Sequence, residues 1–173
     1  ATAHQSGTDR VFEAARLLKL PPDSVVINIQ GDEPTLDPLV LTELLQAFLD
    51  PEVQVATMAR RMGEENFLCA DTVKLALALN GNALYFSRSP IPYDRDGKRK
   101  HPILGHIGLY AFTMSALERF VSLPPSSLEL TENLEQLRLL ENNIPIRVVL
   151  TDKQFIGVDR PEDIEKILPL LRP

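Results

Sequence analysis

The sequence predicts an α/β domain with a mixed, mostly parallel sheet and an inserted hairpin. Three observations carry this. Short apolar runs rich in β-branched residues alternate with segments whose apolar residues recur every three or four positions. Polar turns bearing Gly or Pro separate them. The pair Asn80-Gly81 falls between two strand-like runs and marks a hairpin. At 173 residues the chain is one domain's worth, 1–173, and long enough to bury a real core.

The first helix runs from Thr8 to Lys19, with Val11, Phe12, Ala15 and Leu18 at helical spacing and Thr8 as its cap. Pro21-Pro22 ends it. Val25 to Ile29 is a buried strand, closed by the polar turn Gln30 to Pro34. Asp37-Pro38 starts the next helix, whose inner face carries Leu41, Leu44, Leu45 and Phe48. Val53 to Met58, Thr72 to Leu79 and Ala83 to Phe86 read as strands, the last two forming the hairpin. From Ser87 to Gly105 three prolines and five basic residues make a long excursion, the kind of segment that carries function. His106 to Phe112 resumes as a strand. Met114 to Val121 and Leu128 to Glu141 are helices, Ile146 to Leu150 a strand, and Pro161 to Leu171 a last helix capped by Asp159.

Composition excludes several classes. Hydrophobic residues make up 44% and charged residues 24%, the balance of a globular protein rather than a disordered tail. A net charge of −6 argues against nucleic-acid binding through a broad basic face. No apolar run reaches the roughly 18 residues of a membrane span. The single cysteine, Cys69, excludes an internal disulfide.

The chemistry candidates lie at strand ends, where sheets of this class bind ligands. Asp32 follows a strand within a glycine turn, placed to hold Mg²⁺ through oxygen or simply to be solvated. Asp159 is either a helix cap or the second carboxylate of that site. The segment His4 to Arg10 enters a helix N-terminus, which suits an anion, and equally suits a capped flap. Arg88 could pair with a carboxylate or phosphate, or lie on the surface. Glu135 and Gln136 read by default as helix polars.

Six strings occur in order: HQSGTDR (His4 to Arg10), QGDEP (Gln30 to Pro34), ALYFSRSPIPYDRD (Ala83 to Asp96), HIGLYAF (His106 to Phe112), LEQLRLLE (Leu134 to Glu141) and GVDRPEDI (Gly157 to Ile164). Together they resemble the 3-deoxy-D-manno-octulosonate (Kdo) cytidylyltransferases of lipopolysaccharide synthesis, over nearly the whole chain. The resemblance implies a Rossmann-like nucleotidyltransferase fold, as in nucleotide-diphospho-sugar transferases. It implies a cytoplasmic homodimer that uses Mg²⁺ to transfer CMP from CTP to Kdo, with pyrophosphate released. Matching positions imply that Ser6, Gly7, Arg10 and Gln30 meet the nucleotide, and that Asp32 and Asp159 are catalytic and hold Mg²⁺. Arg88, His106, Tyr110, Glu135 and Gln136 would surround the sugar acid. The alternatives are transfer to another nonulosonic acid or an amino-Kdo, and a non-catalytic sugar- or nucleotide-binding fragment. Arg160 stands where the family pattern has Thr, Ser127 where it has Pro, and Thr113 where it has Arg. Nothing matches the opening strand and phosphate loop of the pattern, PARxxSxRLPxK. The expected domain is therefore N-terminally incomplete, and the span alone is expected to be inactive.

Overall fold

The computed structural model describes residues 6–31, 34–153, 158, 164–165 and 167–169. The elements in chain order are α1 (Gly7–Leu17), β1 (Val25–Asn28), α2 (Leu39–Gln46), β2 (Val55–Arg61), β3 (Lys74–Leu77), β4 (Ala83–Ser87), β5 (Leu104–Thr113), α3 (Met114–Ser122), α4 (Ser127–Glu132), α5 (Gln136–Glu141) and β6 (Arg147–Leu150). The C-terminal helix lies almost wholly outside the described residues, although 164, 165 and 167 are helical.

The sheet is mixed, in the order β4-β3-β5-β2-β6, with β1 also on β5. Only β2–β6 is a parallel ladder among the described residues, so the expectation of a mostly parallel sheet is corrected. The reason is β5. It follows the long excursion and enters between β1 and β2 in the opposite sense, converting two would-be parallel neighbours into antiparallel pairs. The hairpin forms as the Asn80-Gly81 pair predicts, with Gly81 at φ 82°, a conformation glycine adopts without steric cost. Its turn also lands on β6: Ala83 N–H donates to Ile146 O and Val148 N–H to Gly81 O. Arg147 ties this corner together, bonding Asn82 at 2.9 Å and Asp50 at 3.0 Å.

Strand alternation divides the core into two layers. Val55 and Ala59 of β2, with Phe112 and Leu104 of β5, face α1, α3 and α5, where Phe12, Leu117, Phe120 and Leu137 pack. Ala56 and Met58, with Ile107, Leu109 and Ala111, face Val40 and Leu44 of α2. Each fully buried leucine contributes about 2 kcal/mol of apolar transfer free energy.

Two helix ends differ from expectation. Ser6, not Thr8, caps α1: it accepts from Asp9 N–H while the Asp9 carboxylate accepts from Ser6 N–H. The Leu128–Glu141 helix is broken in two. Asn133 takes the left-handed conformation at φ 57° and closes α4, and its own N–H goes back to Glu129 O. Asparagine is one of the few residues that tolerates this turn. Asp37 behaves as foreseen, its carboxylate accepting from Leu39 N–H at 2.9 Å.

Candidate active site

The edge of β5 that β1 occupies is only partly covered. β1 pairs with Tyr110–Thr113, and β3 joins further along at Gly105, where His106 N–H donates to Val73 O. Residues 107–109 between them have no strand partner on that edge among the described residues. A Cβ built on Gly108 would meet nothing within 4 Å, so the sheet face over Gly108 is open. His106, Gly108 and Tyr110 are half-buried there, while Ile107 and Leu109 point into the core.

His106 and Tyr110 are brought together, with ring centroids 5.3 Å apart, and Phe86 meets the imidazole edge-on at 5.1 Å. Burial pushes the His106 imidazole down to about 3, so the ring is neutral at physiological pH. Burial raises the Tyr110 phenol well above its ordinary value, keeping it a neutral donor. The nearby Thr57 hydroxyl pulls the other way, but its hydrogen bonds go to His106 and Leu109. The Tyr110 hydroxyl is buried without a hydrogen-bond partner among the described residues, and so is Nε2 of Gln136. Two orphaned polar atoms are costly unless something else meets them.

Glu135 and Gln136 stand at the start of α5. Glu135 accepts a hydrogen bond from the buried Thr8 hydroxyl at 2.9 Å. That bond joins this group to the N-terminus of α1, where Ser6, Gly7 and Arg10 lie. Ser6 is engaged in its cap, and Arg10 is exposed on the helix. A Cβ on Gly7 would sit 3.9 Å from Gln30 Oε1, so the α1 start and the end of β1 are neighbours.

Arg88 sits just beyond β4 with its guanidinium on backbone carbonyls: Glu132 O at 2.8 Å, Ala70 O at 3.1 Å and Asn133 O at 3.5 Å. Two anchors hold it. Glu132 accepts from Ser87 Oγ and Arg88 N–H; burial raises that carboxyl, but these contacts outweigh it and the pKa falls. Lys74 is fully buried, and its Nζ donates to the carbonyls of Cys69, Thr72 and Arg88. Asp32 and Asp159 lie outside the described residues. Among the described residues, no group of three or more acidic, histidine or cysteine side chains could hold a metal ion.

Sequence reasoning missed Thr57, Lys74 and Glu132, and it read Thr8 as a helix cap rather than as the partner of Glu135. A threonine or lysine inside an apolar strand is the available signal, as in Val55–Arg61 and Lys74–Leu77. It also missed a cleft of about 470 Å³ that opens against His106. Arg60, Arg61 and Lys153 line it together with Asp152 and Glu65, and Lys153 is paired with Asp37 at 3.0 Å.

Comparison with known proteins decides the family. A cytidylyltransferase family model matches residues 1–154. A 3-deoxy-manno-octulosonate cytidylyltransferase of Oleidesulfovibrio alaskensis is 58% identical over 98% of this chain and 68% of its own length. The chain belongs to the 3-deoxy-manno-octulosonate cytidylyltransferase family. Another member, from Lawsonia intracellularis, is 54% identical over 97% of this chain and 66% of its own. A solved CMP:2-keto-3-deoxy-manno-octonic acid synthetase, complexed with CTP, superposes with a TM-score of 0.89 at 40% identity. It covers 97% of this chain and 68% of that one. The α/β cytidylyltransferase fold is thus shared over nearly every residue of the chain. Among the described residues no helix is long and apolar enough to cross a membrane.

Proposed function

We propose that this protein transfers CMP from CTP to Kdo and releases pyrophosphate. The observation that carries the reading is 58% identity, over 98% of the chain, to a cytidylyltransferase named for this sugar acid. The chemistry is in-line substitution at phosphorus. The Kdo 2-hydroxyl oxygen forms a bond to the α-phosphorus and loses its proton. The bond to the β-phosphate oxygen breaks, and pyrophosphate leaves with the electron pair. The obstacles are repulsion between a carboxylate and a triphosphate, and the entropy of alignment.

The chain's own residues address both. The α1 N-terminus, with Ser6, Gly7, Arg10 and Gln30, receives the nucleotide, where helix amides favour an anion. Tyr110, Gln136, Glu135 and neutral His106 give the sugar hydroxyls directional partners, and the unpartnered hydroxyl of Tyr110 and amide of Gln136 support this. Arg88 faces the acid through the donors its carbonyl contacts leave over. Asp32 and Asp159 hold Mg²⁺, since two carboxylates are the hard oxygen donors that ion takes. When bound, the ion neutralises triphosphate charge and assists departure of pyrophosphate. We place the reaction in the cytoplasm, where CTP is available, and infer a homodimer built on the β3–β4 hairpin.

The test is pyrophosphate release by the complete gene product with CTP, Mg²⁺ and a panel of sugar acids. Turnover with Kdo well above that with amino-Kdo and nonulosonic acids is expected. Turnover only with one of those other acids overturns the assignment. Asp32→Asn and Asp159→Asn should each cut kcat by on the order of a hundredfold without lowering the melting temperature. An Asp159→Asn enzyme of full activity and lower melting temperature would make that residue a helix cap.

A further inference from the structure

Thr57 lies on β2 between Val55 and Ala59, facing the aromatic row of β5, and is fully buried. The β2–β5 register slips beside it: Thr57 pairs with Tyr110, but Met58 pairs with Ile107, leaving residues 108 and 109 without partners in that ladder. The Thr57 hydroxyl fills the irregularity. Its Oγ1 is 2.9 Å from Leu109 O, 3.4 Å from Ile107 O and 3.0 Å from His106 Nε2.

A hydroxyl has one proton, and a carbonyl oxygen can only accept. The shorter carbonyl contact takes that proton, so toward His106 the oxygen can only accept. Nε2 must then carry a hydrogen, and in a neutral ring Nδ1 must carry the lone pair. The opposite assignment would withdraw the threonine proton from both bulge carbonyls. Among the described residues the ring's one hydrogen-bond partner is Thr57.

From this geometry we infer that Thr57 is a positioning residue for sugar-acid recognition: it fixes His106 as the Nε2–H tautomer, so that Nδ1 meets a substrate hydroxyl strictly as an acceptor. The inference rests on the reading of His106 as a sugar-side residue. It explains how a half-buried imidazole with two possible tautomers discriminates among hydroxyl arrangements without changing charge. The Tyr110 hydroxyl and the Gln136 amide are unpartnered donors among the described residues, and Nδ1 adds an acceptor to the residues read as sugar-side.

The experiment uses the complete gene product, ¹⁵N-labelled on histidine, and Kdo as the probe. In the wild type, long-range ¹H–¹⁵N correlations should assign protonated Nε2 and unprotonated Nδ1 to His106 at neutral pH. Thr57→Val should mix the tautomers and raise the KM for Kdo roughly tenfold, with the KM for CTP within about twofold. Thr57→Ser keeps the hydroxyl and should restore both the spectrum and the KM. A wild-type ring protonated at Nδ1 overturns the inference. So does a Thr57→Val enzyme with mixed tautomers and an unchanged KM for Kdo, or a Thr57→Ser enzyme as impaired as Thr57→Val. His106→Ala separates the two levels: if it leaves the KM for Kdo unchanged, the sugar-side reading of His106 fails, and the inference with it, while the tautomer measurement still stands as structure.

Discussion

At Gln136 a buried side-chain amide has no acceptor for its Nε2 among the described residues. Burial of this kind costs stability unless another group meets it, and the proposed function assigns that partner to the sugar acid. Gln136→Leu removes the orphan at nearly constant volume. Its melting temperature should hold or rise, while the KM for Kdo rises several-fold more than that for CTP. Steady-state kinetics with each substrate varied, beside a thermal melt, checks both; equal effects on the two substrates would mean a packing role. Lys74 is the opposite case, a buried cation whose Nζ meets three carbonyls. Lys74→Met leaves those carbonyls unmatched and should cost roughly 2 kcal/mol in urea unfolding. It should also loosen Arg88, whose own carbonyl is one of the three.

Between elements, a buried polar clamp joins α4 to α5. Arg138 donates through Nε and Nη2 to the Glu129 carboxylate and stacks 4.6 Å over the Phe120 ring. Burial raises the Glu129 carboxyl, but Arg138 and the Ser126 N–H outweigh that and hold it below the ordinary range. The linkage sign follows. A folded-state value below the unfolded 4.5 means that the clamp's contribution is complete above about pH 4.5. It is lost as pH falls through the lower folded value. Urea unfolding between pH 6 and pH 3 should therefore show stability falling with acid in the wild type and a shallower fall in Glu129→Gln. At neutral pH that variant should lose roughly 3 kcal/mol, the usual cost of stranding one member of a buried pair.

For the whole molecule, the bond from Thr8 to Glu135 spans 127 positions and joins the helix proposed for the nucleotide to the residues proposed for the sugar. The two proposed subsites thereby share one connected frame. The outer surface of the hairpin is the proposed dimer face. β4 is an edge strand, Leu84 is 61% exposed, and Leu79 beside the turn is fully exposed. Edge strands with apolar side chains invite pairing. Leu84→Glu should shift sedimentation of the complete gene product at micromolar concentration from dimer to monomer while leaving the melt of the monomer unchanged. A wild type that sediments as a monomer would remove the dimer from the proposal.

What the sequence determined by itself was local. Apolar periodicity placed the strands and most helices to within a few residues, because burying one face is a short-range requirement that leaves a pattern. The Asn80-Gly81 turn and the Asp37 cap were legible for the same reason. The ordered strings pointed to the family and so to His106, Tyr110, Glu135 and Gln136. Tertiary structure alone decided the sense of β5, the break at Asn133 and the roles of Thr8, Thr57 and Lys74. Strand direction depends on which neighbours a distant segment finds, and a single left-handed residue leaves a heptad-like pattern almost intact. A buried hydroxyl or ammonium acquires its meaning only from the carbonyls packed around it: 52 positions away from Thr57 for Leu109, and 14 from Lys74 for Arg88. No spacing rule in the chain encodes those meetings; they exist because the sheet brings the backbone groups to be satisfied.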